Sequence, residues 1–191
     1  LGCFAYFFRP FFFISFFCFL FCFYFFRNPN RVCEQALQDA SVLISPADGK
    51  VVIVEMLEND PLFKYKIAIF LSPFDVHVNW CPIAGKVASV NYHKGAFVMA
   101  FLPKSSELNE RNDVLFLTEY GSMIRVRQIA GTIARTIVCW VREGEQVMSG
   151  QKFGMIKFGS RVEIFLPATA RLEIKTGERV YGGETVLGTL Q

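Results

Sequence analysis

Phe153-Gly154-Met155-Ile156-Lys157-Phe158-Gly159-Ser160-Arg161-Val162-Glu163-Ile164-Phe165-Leu166 sets two β-like apolar runs on either side of a Gly-Ser pair. The second run alternates charged with branched residues over 161–164, as a half-buried strand does. Working outward, the same texture recurs at 50–54, 66–71, 114–118, 123–129, 136–141 and 170–175, each short and rich in branched or aromatic residues. Turn residues separate these runs, at Glu58-Asn59-Asp60-Pro61, Tyr120-Gly121-Ser122 and Thr176-Gly177-Glu178. The pattern predicts a mainly β domain of many short strands over residues 42–191.

Two further features point to a barrel-sandwich type of β architecture. Pro46-Ala47-Asp48-Gly49-Lys50-Val51 is echoed by Pro82-Ile83-Ala84-Gly85-Lys86-Val87, and the ending Val180-Tyr181-Gly182-Gly183-Glu184-Thr185-Val186-Leu187-Gly188 has the glycine rhythm of lipoyl and biotinyl carrier barrels. No Met-Lys-Met hairpin is present to carry a lipoyl or biotinyl group.

The amino-terminal end is of another kind. With 22 Phe and 52% hydrophobic residues, the chain is apolar for a soluble domain, and the excess is local. Residues 11–26 are apolar or aromatic apart from Ser15, with Pro10 suited to a first helical turn and Arg9 able to snorkel to lipid headgroups. The run is slightly short of the 18 or so residues of a plain membrane span. A signal peptide would need small residues after it, and Phe25-Phe26-Arg27-Asn28-Pro29 offers none. A helix apolar on every face would need more protein around it than this chain supplies. We therefore expect residues 1–27 to be a hydrophobic membrane helix and 28–41 a linker. The chain opens on Leu1, which leaves room for a preceding segment such as the first helix of a hairpin. Arg27 and Arg31 after the apolar run favour a cytoplasmic side for the domain that follows.

At 191 residues there is room for one domain with a real core. A net charge of +3 without an aromatic-basic stripe argues against nucleic acid as a partner. Six cysteines without a Cys-x-x-Cys, and only His77 and His93, suggest neither a disulfide framework nor a metal site. Reduced thiols are expected.

Gly159-Ser160 carries the most telling chemistry. Glycine leaves its carbonyl open to attack and tolerates unusual backbone angles. The next residue's hydroxyl can reach that carbonyl through a five-membered ring and turn the amide into an ester. Elimination would then leave residue 160 as a pyruvoyl cap. A plain turn between strands is the structural alternative. Likewise Asp48 before Gly49 can be a hairpin aspartate, and His77 in an apolar segment a packed side chain.

The pair stands in company. Ser45-Pro46-Ala47-Asp48-Gly49-Lys50, Phe70-Leu71-Ser72-Pro73-Phe74-Asp75-Val76-His77-Val78-Asn79, Gln128-Ile129-Ala130-Gly131 and Lys157-Phe158-Gly159-Ser160-Arg161 follow one another in order. Together they closely resemble the phosphatidylserine decarboxylase family in its short bacterial and archaeal branch, from about residue 26 to residue 190. The resemblance implies a proenzyme that cuts itself between Gly159 and Ser160 into a large and a small chain. It implies a catalytic triad of Asp48, His77 and Ser160, in which His77 accepts the serine proton and Asp48 holds the imidazole tautomer. The cofactor would be the pyruvoyl group derived from Ser160, with no added cofactor or metal. The substrate would be phosphatidylserine in the bilayer, converted to phosphatidylethanolamine and carbon dioxide with His77 as the reprotonating acid.

The chain departs from some relatives. Trp80 stands where certain members carry a second histidine, so that residue's work would fall to His77 or water. Phe74 and Trp80 are candidates for an apolar rim as much as for packing. His93 matches a substrate-side loop loosely and reads as a surface residue. Other readings remain at this point. One is a decarboxylase of a related lipid such as archaetidylserine. A serine hydrolase is another, though no Gly-x-Ser-x-Gly elbow is present. The others are a membrane-anchored carrier barrel and a phosphoryl carrier using His77.

Overall fold

A computed structural model describes residues 2–95, 109–131, 136–157 and 160–191, with the side chains of the first helix described from Phe11 onward. Helix α1 runs Gly2–Phe25 and a short α2 runs Glu34–Gln38. The strands are β1 Val42–Ile44, β2 Gly49–Met56, β3 Tyr65–Leu71, β4 Val78–Trp80, β5 Gly85–His93, β6 Arg111–Thr118 and β7 Met123–Ile129. They continue as β8 Thr136–Cys139, β9 Gln146–Val147, β10 Lys152–Lys157, β11 Ser160–Leu166, β12 Ala170–Leu172, β13 Arg179–Val180 and β14 Val186–Leu190. The mainly β expectation is borne out.

The principal unit is an eight-stranded sheet in the order β13-β2-β3-β11-β7-β6-β5-β9, curled into a half-barrel. Two three-stranded sheets accompany it, β1-β14-β12 and β4-β10-β8. The strand pairings are antiparallel.

The sequence alternation sets the faces. In β6 and β7 alternate residues are buried, and their inward members meet as Val114↔Val126 and Phe116↔Ile124. β11 lies between β3 and β7, with Ser160, Val162 and Ile164 opposite Leu71, Ile69 and Ile67. Every residue of β11 is buried, because its outer face, Arg161 and Glu163, is covered as well. One apolar core joins this sheet to the others through Leu43, Phe153, Ile156 and Leu187.

Residues 11–20 of α1 are exposed, Phe12 at 68% and Phe17 at 65% among them. Among the described residues no helix is long and apolar enough to cross a membrane. Between α1 and β1 the chain forms the short α2.

Candidate active site

Two of the places where the chain passes between sheets lie side by side. β3 belongs to the large sheet and β4 to a small one, so residues 72–77 carry the chain between them. β10 and β11 make the same passage in reverse, across 158 and 159. Met155 pairs with Val78, Ile156 N–H donates to the His77 carbonyl at 3.1 Å, and Ser160 pairs with Leu71. The loop holding Asp75 and His77 is thus bracketed by the strands that enter and leave the Gly-Ser junction. Gly159 itself lies outside the described residues.

Ser160 opens β11 fully buried, and its Oγ has no hydrogen-bond partner among the described residues. Period-two alternation points it to the core side with Val162. His77 is equally buried, and its Nε2 also lacks a partner among the described residues. The two therefore face the same unmet need without being hydrogen-bonded to each other.

The imidazole is oriented at its other nitrogen. Nδ1 lies 2.9 Å from the Asp75 carbonyl oxygen. A carbonyl can only accept, so Nδ1 carries the proton and Nε2 keeps its lone pair. Burial lowers the His77 pKa from 6.5 to about 4, and the nearby Arg27 charge adds to this. The Asp75 carbonyl and the Asp75 and Asp48 carboxylates oppose it, and burial wins. At neutral pH the ring is a neutral base.

Asp48 does not take the expected place beside the imidazole. Its carboxylate is gripped by both terminal nitrogens of Arg31, Oδ2 accepting at 3.1 Å. Oδ1 also accepts from Gly182 N–H at 2.8 Å, and Oδ2 is 3.4 Å from Val76 N–H. The physical reason is its near-complete burial, which leaves a charge that needs a cation and several donors. Its link to His77 runs through the Val76 backbone and through charge. Asp75 fills the tautomer role by its carbonyl. Its carboxylate accepts from the Ser72 N–H and hydroxyl, both at 2.7 Å, and pairs with Arg179.

Gly49 lets this corner close. Its φ is +145°, and a Cβ there would collide with the Phe70 carbonyl oxygen. The Gln128 motif also converges here. Gln128 donates to Asn79 Oδ1 at 2.8 Å and accepts from Asn112 Nδ2 at 2.9 Å, all three side chains being buried. A Cβ at Gly154 would sit 2.7 Å from the Gln128 amide nitrogen, so glycine lets β10 pass that close. The four motifs thus form one neighbourhood.

Trp80 is fully buried, with the Arg31 guanidinium 5.2 Å from its ring centre, whereas Phe74 is exposed. Of the two rim candidates, only Phe74 can face outward. His93 is exposed, 4.0 Å from Asp113. Among the described residues no group of three His, Cys, Asp or Glu side chains could hold a metal ion.

Sequence reasoning missed Arg31 and Phe25. Arg31 was counted as a flanking charge, yet it neutralises Asp48; its place shortly before the Ser-Pro-Ala-Asp-Gly run was the available signal. Phe25 packs on His77 with ring centres 4.2 Å apart, and nothing distinguishes it in sequence from its phenylalanine neighbours. Arg27 is likewise engaged, donating to the Phe74 carbonyl at 2.7 Å.

Residues 18–188 match the phosphatidylserine decarboxylase family. The chain is similar to a phosphatidylserine decarboxylase proenzyme of Syntrophus aciditrophicus (strain SB), with 47% identity over 87% of this chain and 78% of that protein. A protein of the same name from Desulfotalea psychrophila (strain LSv54 / DSM 12343) is 42% identical, over 87% of this chain and 78% of its own length. A third, from Magnetococcus marinus (strain ATCC BAA-1437 / JCM 17883 / MC-1), is 43% identical over 88% and 77%. With its ordered motifs gathered at one buried crossing and a match over nearly its whole length, the chain belongs to the phosphatidylserine decarboxylase family.

Proposed function

We propose that the chain is a proenzyme that divides itself between Gly159 and Ser160 and then decarboxylates phosphatidylserine to phosphatidylethanolamine. The observation that carries this reading is that two buried atoms without partners among the described residues, Ser160 Oγ and His77 Nε2, belong to neighbouring crossings between sheets. A buried hydroxyl and a buried ring nitrogen left unsatisfied are costly, and such cost concentrates at reactive sites.

In maturation His77 Nε2 accepts the Ser160 hydroxyl proton while Oγ bonds to the Gly159 carbonyl carbon. The C–N bond breaks, the amine of residue 160 recovers the proton, and an ester replaces the amide. Loss of the residue 160 Cα proton expels the Gly159 carboxylate, and water displaces the nitrogen as ammonia. The products are a large chain ending at residue 159, a small chain of 191 − 159 = 32 residues, and a pyruvoyl group at position 160.

The site fits such a group, because position 160 is dry, fixed in β11 and near a neutral histidine. The pyruvoyl ketone supplies an electron sink for loss of carbon dioxide from a serine headgroup. His77 holds the proton source for the carbon left behind. Asp48 and Arg31 fix the corner beside Val76, and the Asp75 carbonyl fixes the ring.

Membrane association belongs to the same reading. The outward side chains of α1, with Phe23 67% and Phe74 67% exposed nearby, make an apolar surface suited to lipid. It would keep the diacyl tails in the bilayer while the headgroup reaches residue 160. Intact mass and a denaturing gel test the proposal, together with carbon dioxide release from phosphatidylserine. The wild-type protein should give two chains, and Ser160→Ala one inactive chain. Division of that variant at the same bond would refute serine attack.

A further inference from the structure

α1 is exposed along residues 11–20, but its end turns inward. Phe21 is half-buried and Phe25, one turn later, is fully buried, their rings 6.0 Å apart. This i, i+4 pair is the inward stripe of a helix whose other described side chains are exposed. Phe25 lies on the His77 ring at 4.2 Å. Beside it, the Tyr24 hydroxyl and the Arg27 guanidinium both donate to the Phe74 carbonyl, at 3.0 and 2.7 Å. Arg27 also donates to the Tyr24 carbonyl at 2.8 Å and lies over the Tyr24 ring at 4.0 Å. Phe74 directly precedes Asp75, whose carbonyl holds Nδ1 of His77.

We infer that the C-terminal turn of α1 is a built part of the active site, with Phe25 a positioning residue that seals the His77 ring and Tyr24 and Arg27 the tie that holds its loop. The inference rests on the reading of His77 as the maturation base, and it adds what keeps that base dry and aimed. The charged groups near the ring are the carboxylates of Asp75 and Asp48 and the guanidinium of Arg27. Both carboxylates are engaged by cations, Arg179 and Arg31. Water exclusion by Phe25 is then the element a substitution can remove without adding charge. One helix would thus serve lipid with its outer face and the catalytic loop with its inner end.

The full chain carries only two histidines, so ring signals in a nuclear magnetic resonance titration separate readily, with exposed His93 as internal control. In the Ser160→Ala chain in lipid nanodiscs, Phe25→Ala should raise the His77 midpoint by about one pH unit or more as water reaches the ring. Phe25→Leu should restore most of the original value, and His93 should not move. With Ser160 intact, Phe25→Ala should make the maturation rate fall at acid pH with the new midpoint. An unmoved His77 midpoint overturns the inference. A moved midpoint with no acid limb in maturation upholds the seal and refutes His77 as the base. If Phe25→Ala does not fold, Tyr24→Phe removes one of the two donors to the Phe74 carbonyl while the Arg27 charge stays in place. The same rise is expected, and its absence again overturns the inference.

Discussion

Replacing His77 by Gln in the uncleavable Ser160→Ala chain should remove a large part of the protein's sensitivity to acid. The folded imidazole titrates at about 4 because it is buried, against an ordinary 6.5 when the chain unfolds. On acidification the unfolded chain therefore binds this proton first. Stability contributed by the neutral ring is intact above 6.5, falls as pH drops from 6.5 towards 4, and levels off below that. At 1.36 kcal/mol per pKa unit, the loss between neutral pH and roughly pH 4.5 comes to about 2.5 kcal/mol. A total stability of about 5–15 kcal/mol makes that a visible fraction. Urea unfolding at several pH values would measure it, comparing Ser160→Ala with Ser160→Ala/His77→Gln. Every other group is common to both proteins, so its contribution largely cancels. The curves should converge towards acid pH by about 2.5 kcal/mol. Parallel curves, within about 0.5 kcal/mol, would mean that His77 is not held neutral by the fold and that the base assigned to maturation is wrongly described.

Asp48→Asn should leave the part-buried Arg31 with only the more distant Glu184 as counter-charge and turn one acceptor into a donor facing N–H groups; the expected loss is about 1–3 kcal/mol, with uncleaved precursor accumulating on a denaturing gel. Gly49→Ala should destabilise by at least about 1 kcal/mol in denaturant titration, because the new Cβ meets the Phe70 carbonyl and the backbone is held at φ +145°. Any His77→Ala protein that matures, with its pyruvoyl group confirmed by mass, should release carbon dioxide ~10²–10⁴-fold more slowly. Wild-type turnover there would confine His77 to maturation.

Much of the sheet was legible because its residues alternate. Met123–Ile129 was read with the bounds the strand has, and β3 and β11 to within a residue. Shorter strands such as β1, β4 and β13 were not legible, since two or three residues carry no period and their pairing is set by distant partners. β5 escaped because its outer end, Asn91 to His93, is polar and exposed. The division of the junction between two sheets could not be read either, because a crossing depends on which strands each run finds. At the site, Asp48, His77 and Ser160 were legible as candidates through ordered motifs. Their hydrogen bonds were not. A carboxylate beside an imidazole was expected, whereas burial draws Asp48 to Arg31 and leaves a backbone carbonyl to orient the ring. Gln128 was quoted in a motif without a role, and only the fold shows it bridging Asn79 and Asn112 across strands.

The position of β11 has a consequence for the cut protein. After division the small chain holds β11 at the middle of the large sheet, β13 at its edge, and β12 and β14 beside β1. It is woven through two sheets and supplies Val162, Ile164, Leu187 and Leu190 to a core shared with the large chain. Such halves are not subunits that meet and part; each is an incomplete fold whose missing strands are the other. Separation would amount to unfolding, so the order of events is fixed. The chain must fold as one piece before it can become two, and a mature molecule that loses its fold loses the means to regain it.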